Sequence, residues 1–167
     1  MSAPVSGRVA KAYVFLVGLL ALSGIMQMPI ASRYRIATIP GLAWLGDFWL
    51  THKLHYLGAV GLLTLTSYVA TRWILEWRHE YALTPLGVVR TGVVLLLILT
   101  GAVRVLKNLP DISFAPDPTM WVDWAHLGLA LLLGLVALTR LVFRARYAAQ
   151  LAPEPPRPDR FGRFEPL

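Results

Sequence analysis

The stretch FWLTHKLHYLGAVGLL, Phe48 to Leu63, sets two histidines, His52 and His55, at the mouth of a long apolar run. From Trp49 the run extends to Ala70, and a helix of about 20 residues is what the hydrocarbon core of a bilayer requires. Working outward, three further segments have the same character: Ala12 to Ile30 before it, Leu86 to Leu106 and Val122 to Phe143 after it. Isolated spans of this length can satisfy their backbone polar groups only as helices. The fold class expected is therefore an all-α membrane protein, a bundle of four transmembrane helices. Thr84-Pro85 supplies a cap and a first-turn proline for the third span, and Pro29 and Pro110 help to close the first and third. No internal repeat stands out.

Composition agrees. Of 167 residues, 56% are hydrophobic and 15% charged, where a soluble domain carries about 25% charged residues. The net charge of +7 could suit nucleic acid, but the basic residues flank apolar runs instead of forming one patch. They are read as orienting a membrane protein, with no nucleic-acid partner. The absence of cysteine excludes disulfides and thiolate-held iron–sulfur clusters from this chain. Arg8 and Lys11 before the first span imitate a signal peptide, but that span is long and is expected to be retained.

With four spans, both termini and the middle loop share a side. Of the 16 Lys and Arg residues, Arg33, Arg35, Lys53, Arg104 and Lys107 fall on the other side. The positive-inside rule then puts the termini in the cytoplasm. Residues 1–148 are read as the membrane domain. Residues 149–167, rich in Pro and Arg, are read as a cytoplasmic tail, extended or disordered. The outer link KNLPDISFAPDPTMWVDW, Lys107 to Trp124, is long for a connection without a function. Trp121 and Trp124 within it suit interfacial anchoring.

Four histidines are the candidates for chemistry. His79 lies in the charged middle loop EWRHEY and suits a solvated role. His55 is about six residues into the second span and His126 about four into the fourth. These spans run in the same direction, so at 1.5 Å per residue the two imidazoles reach similar depths near the outer face. Two neutral imidazoles facing each other between helices make an axial pair for haem iron. Tolerated interfacial histidines or a proton relay are the competing readings. Zinc wants four ligands, and no nearby carboxylate or thiol cluster completes such a set.

Gly58 and Gly61 after His55, and Gly128 after His126, could give a porphyrin bare backbone, or could serve ordinary helix packing. Arg104 and Lys107, level with the histidines, could pair with haem propionates or simply snorkel. His52 is one turn from His55, within about 60° around the helix, and is read as pointing to solvent or to the haem edge. Met26 and Met28 are fallback axial ligands, although methionine there more often packs. Arg90 and Arg140, near the inner face, are read as anchors, with a quinone or lipid-headgroup pocket as the alternative.

In order and spacing, ALSGIMQMP, KLHYLGAVGLL, LTGAVRVL and WAHLGLALLLGLVALTR resemble the four helices of the cytochrome b (gamma) subunit of membrane-bound formate dehydrogenases. The resemblance covers the spans and not the tail. It implies a prokaryotic inner (plasma) membrane protein that passes electrons through haem b between a partner redox subunit and the quinone pool. It would act as an electron-transfer subunit of an oxidoreductase, not as an independent enzyme. The family holds two haems, and its fourth helix supplies a ligand to each, 14 residues and about 21 Å apart on one face.

Here His126 matches the outer ligand, but Arg140 stands where the inner one belongs. The first-helix region from Lys11 to Val14, where the family has another inner ligand, holds no histidine. The resemblance thus implies a single-haem form held by His55 and His126, and it puts the family's quinone site, beside the inner haem, in doubt. The partner implied is an iron–sulfur or multihaem protein docked on the outer loop from Lys107 to Asp123, or a cytoplasmic one held by the tail. A haem-free membrane anchor and a small transporter or assembly factor are the other classes. The scarcity of mid-span charge argues against a coupled transporter.

Overall fold

The computed structural model describes residues 5–28, 33, 38–144 and 146–151. The chain is mostly helical. There are four long helices, α1 (Gly7–Met26), α2 (Phe48–Leu75), α3 (Pro85–Leu106) and α4 (Pro116–Phe143); a turn of 3-10 helix (Ala43–Gly46) precedes α2, and a two-stranded ladder ties the α2–α3 connection to the segment after α4. The cap expected at Thr84 forms, and Ser6 and Asp47 cap the other two: all three side chains accept from backbone N–H groups in the first turns of α1, α2 and α3.

Three helices are long and apolar enough to cross a membrane: α1, α3 and the Pro116–Arg140 part of α4. At 28 residues α2 has the length, but His52, Lys53 and His55 in its first turns and Arg72 in its last dilute its apolar character. Apolar side chains nevertheless point outward on every helix. Phe15, Leu57, Leu99 and Leu131 are each more than 60% exposed, a surface suited to hydrocarbon and not to water.

The helices pair as two antiparallel hairpins. Between α1 and α2, Gln27 meets His52 and Ser23 meets His55, while Gly58 lies against Leu20 and Gly61 against Leu16. Between α3 and α4, Lys107 meets Asp123 and Thr100 meets His126. Further along, Val93, Val94 and Leu133 form a buried cluster with Leu97, Ile98 and Leu129. The hairpins are tied to each other near both ends. Asn108 Nδ2 donates to Tyr56 Oη at 3.1 Å, and Arg90 stacks on Tyr13, 4.4 Å from the ring centre.

Two sequence expectations change. The outer link is shorter than its composition suggests, because α4 begins at Pro116. Proline is compatible with the first turn of a helix, where its missing N–H has no intrahelical role, so Pro116 and Pro118 start the helix and do not prolong the loop. Trp121 and Trp124 are therefore exposed helix residues. The tail also does not begin as free chain: β2 (Ala148–Gln150) pairs antiparallel with β1 (Tyr81–Leu83) in the middle loop. Residues 152–167, like Pro29, lie outside the described residues.

Candidate functional site

The two deep histidines sit in matching clasps. On α1 the dipeptide Ser23-Gly24 faces His55 of α2, and on α3 Thr100-Gly101 faces His126 of α4. Ser23 Oγ is 3.0 Å from His55 Nδ1, and Thr100 Oγ1 is 2.9 Å from His126 Nδ1. The adjacent glycine lets each ring lie against the helix backbone. A Cβ at Gly24 would come within 3.3 Å of His55 Cε1, and one at Gly101 within 3.5 Å of His126 Cε1. No repeat is expected from the sequence, yet the two hairpins repeat this unit. Its trace is two short words, LSG and LTG, each answered by a histidine on the following helix.

The hydroxyls favour one tautomer. A hydroxyl has one proton to give. Ser23 gives its proton to a backbone carbonyl, that of Leu19 at 2.7 Å. Thr100 does the same to the Leu96 carbonyl at 2.8 Å. Each hydroxyl oxygen is then free to accept from the imidazole, an arrangement that favours the proton on Nδ1 and the lone pair on Nε2. This is how metal-binding histidines are usually oriented, the distal N–H being held by a polar partner while the other nitrogen is presented as a ligand.

The two rings belong to different hairpins and lie within electrostatic reach of each other, and Arg104 is close enough to act on both. Beside His126, the Cβ position of Gly128 meets no atom within 4 Å. Among the described residues no three His, Asp or Glu side chains converge, so the arrangement offers two nitrogen ligands and not a closed tetrahedral set.

The other sequence candidates fall in several places. Gly58 is buried against Leu19 and Leu20 of α1, so its missing side chain serves the close approach of α1 and α2, the packing alternative that the sequence offered beside the porphyrin one. Arg104 and Lys107 are not free cations. Both pair with Asp123, at 2.8 and 2.7 Å. Sequence reasoning missed this third possibility because Asp123 lies in a stretch that looks like loop. His52 is held apart from the clasp: its Nδ1 meets Gln27 Oε1 at 3.0 Å, and its ring stacks on Phe48 and meets Tyr56 edge-on. His79 stays in the exposed middle loop, accepting from Arg78 Nε.

At the opposite end of the hairpins, where the resemblance would put a second haem, Tyr13 and Arg140 contribute to a stack of arginine and tyrosine that also includes Arg90 and Tyr147. No family model, curated protein or solved structure matches the chain.

Proposed function

We propose that the chain is a four-span membrane cytochrome b subunit of a respiratory oxidoreductase, resembling the formate dehydrogenase gamma subunit in a single-haem form. His55 and His126 would hold one haem b between α2 and α4. The observation that carries this reading is the pair of hydroxyl-oriented imidazoles, each with Nδ1–H committed to its own hairpin and Nε2 left as a donor atom. Interfacial histidines with no ligand role have no reason to be oriented identically in two hairpins.

Haem b, when bound, supplies one-electron chemistry; the protein binds, orients and tunes it. Ser23 and Thr100 hold the rings against rotation and make the ligand nitrogens more basic. Gly24 and Gly101 let the rings seat close to α1 and α3, and Gly128 leaves room beside His126. Arg104, Lys107 and Asp123 together carry a net positive charge, which suits the acidic edge of a porphyrin. The Arg90–Tyr13–Tyr147–Arg140 stack occupies the inner end and supports one haem instead of two. The membrane would be a prokaryotic inner membrane with cytoplasmic termini. An iron–sulfur or multihaem partner would dock at the outer face near residues 107–123 and exchange electrons with the quinone pool through this chain.

The test is the haem content of the purified chain. One non-covalent haem b is expected, lost in His55→Ala and in His126→Ala and kept in His79→Ala. A correctly folded but colourless wild type would refute the cytochrome reading. Two haems per chain would refute the single-haem form.

A further inference from the structure

Arg90 and Arg140 meet at the end of the hairpins remote from the histidines. The Arg90 guanidinium lies over two rings, 4.4 Å from the centre of Tyr13 and 4.6 Å from that of Tyr147. The Arg140 guanidinium lies 4.8 Å from the centre of Tyr147. Three parts of the chain converge here: α1 through Tyr13, α3 through Arg90, and the end of α4 with the segment after it through Arg140 and Tyr147.

Tyr147 is not free to follow the arginines. Its carbonyl accepts from Thr84 N at 3.1 Å, and the Thr84 hydroxyl donates to the Arg146 carbonyl at 2.6 Å. A side chain at Gly87 would run into the Tyr147 carbonyl. The next three residues enter the ladder with β1. The aromatic floor of the cluster is therefore fixed by backbone contacts at the start of α3.

Two positive groups share this floor without an acid. Among the described residues the ion pairs are Arg72–Glu76, Arg104–Asp123 and Lys107–Asp123, and none involves Arg90 or Arg140. Ring stacking at partly exposed sites holds each guanidinium only weakly and leaves its N–H donors available. Guanidinium forks match the oxygens of a phosphoryl group. The depth fits as well. Arg90 is five residues beyond Pro85, roughly 7.5 Å along the helix, and Arg140 is in the last turn of α4.

We propose that Arg90 and Arg140, framed by Tyr13 and Tyr147, bind a phosphoryl group, that of an anionic membrane lipid. This rests on the membrane part of the reading above and not on the haem. The test is native mass spectrometry of the full chain, purified in detergent and offered phosphatidylglycerol or phosphatidylcholine, with inorganic phosphate as a separate arm. One phosphatidylglycerol is expected to be retained in preference to phosphatidylcholine. Arg90→Gln and Arg140→Gln should each weaken that preference about tenfold, equivalent to about 1.4 kcal/mol, while Arg78→Gln in the exposed middle turn leaves it unchanged.

Retention of inorganic phosphate that depends on the same two arginines, without a lipid preference, supports the site and assigns it a free phosphate. Equal retention of both lipids by the wild type with no phosphate binding, or an unaltered preference in both Gln variants, overturns the proposal. Should Arg90→Gln lose helicity, the exposed Arg140 and an Arg90→Lys variant, which keeps charge but loses the fork, carry the test. Haem content read on the same samples separates the two proposals: a colourless wild type that still selects phosphatidylglycerol refutes only the cytochrome.

Discussion

The two hairpins orient their histidines with the same parts but secure them differently. In the α1–α2 clasp, Ser23 is 2% exposed, and the polar side chain beside it within the hairpin, Gln27, is neutral. Gln27 donates to the Ser23 carbonyl and also meets His52. In the α3–α4 clasp, Thr100 is only partly buried, and the ion cluster of Arg104, Lys107 and Asp123 stands within a few turns of His126. What the two share, a hydroxyl that has spent its own proton and a glycine beside it, is what an imidazole needs to present Nε2. What differs is how water is kept out and where charge is placed, and this decides how each hairpin should respond to change.

The largest effect should also be the most symmetrical. On the proposed haem reading, His55→Ala and His126→Ala are each expected to abolish haem binding, because an iron held by two histidines would keep no low-spin spectrum with one ligand. Retention of a normal low-spin spectrum by either variant would break the equivalence of the clasps. Removing the hydroxyls should expose their difference. Ser23→Ala and Thr100→Ala leave an Nδ1–H without its partner, and loss of such an outer partner typically costs 10–100-fold in affinity. The larger loss is expected for Ser23→Ala, where burial denies water a place to substitute; the unpaired group there costs about 1–3 kcal/mol. Haem titration of the apoprotein measures both, and an unchanged affinity in both variants would remove the tautomer argument.

A smaller contrast lies in the glycines. Gly24→Ala puts a methyl group at 3.3 Å from His55, tighter than an ordinary contact, while Gly101→Ala puts one at 3.5 Å from His126. Gly24→Ala should shift its ring and lower the thermal midpoint by the equivalent of about 1 kcal/mol, the low end for overpacking. Gly101→Ala should be close to wild type. The reverse order would show that the α3–α4 clasp is the more rigid of the two.

Much of this was legible in the sequence, for particular reasons. Apolar runs mark the four helices, least continuously α2 with its His52, Lys53 and His55, and Thr84-Pro85 marks the start of α3 to the residue. His55 and His126 stand out because imidazole is rare in such runs. The clasps did not stand out: a serine or threonine before a glycine is common in packed helices, and only the pairing register of each hairpin shows which histidine it meets. Gly58 stayed ambiguous because spacing along one helix cannot say which neighbour a glycine faces. Asp123 was hidden by the prolines before it, which read as loop although Pro116 opens a helix. The ladder between Tyr81–Leu83 and Ala148–Gln150 joins two short segments far apart in sequence, with no periodicity long enough to announce it.

The smallest expected effect isolates the ion cluster built into the second hairpin, Arg104 and Lys107 on α3 with Asp123 on α4. Asp123 holds Arg104 and Lys107, so Asp123→Asn removes one negative charge from the neighbourhood of His126 while keeping the shape of the side chain. A reduced haem carries one more electron than an oxidised one, and a more positive surrounding favours the reduced form. The midpoint potential should therefore rise in Asp123→Asn and fall in Lys107→Gln. With an effective dielectric of about 20, one charge at this kind of range is worth on the order of 1 kcal/mol, a shift of a few tens of millivolts in a redox titration. Gln27→Ala, the corresponding change beside the neutral clasp, alters no charge and should leave the potential in place. If Gln27→Ala moved the potential as far as Asp123→Asn, the tuning would come from hydrogen bonding and packing around the histidines, and the division between a packed clasp and a charged one would fail.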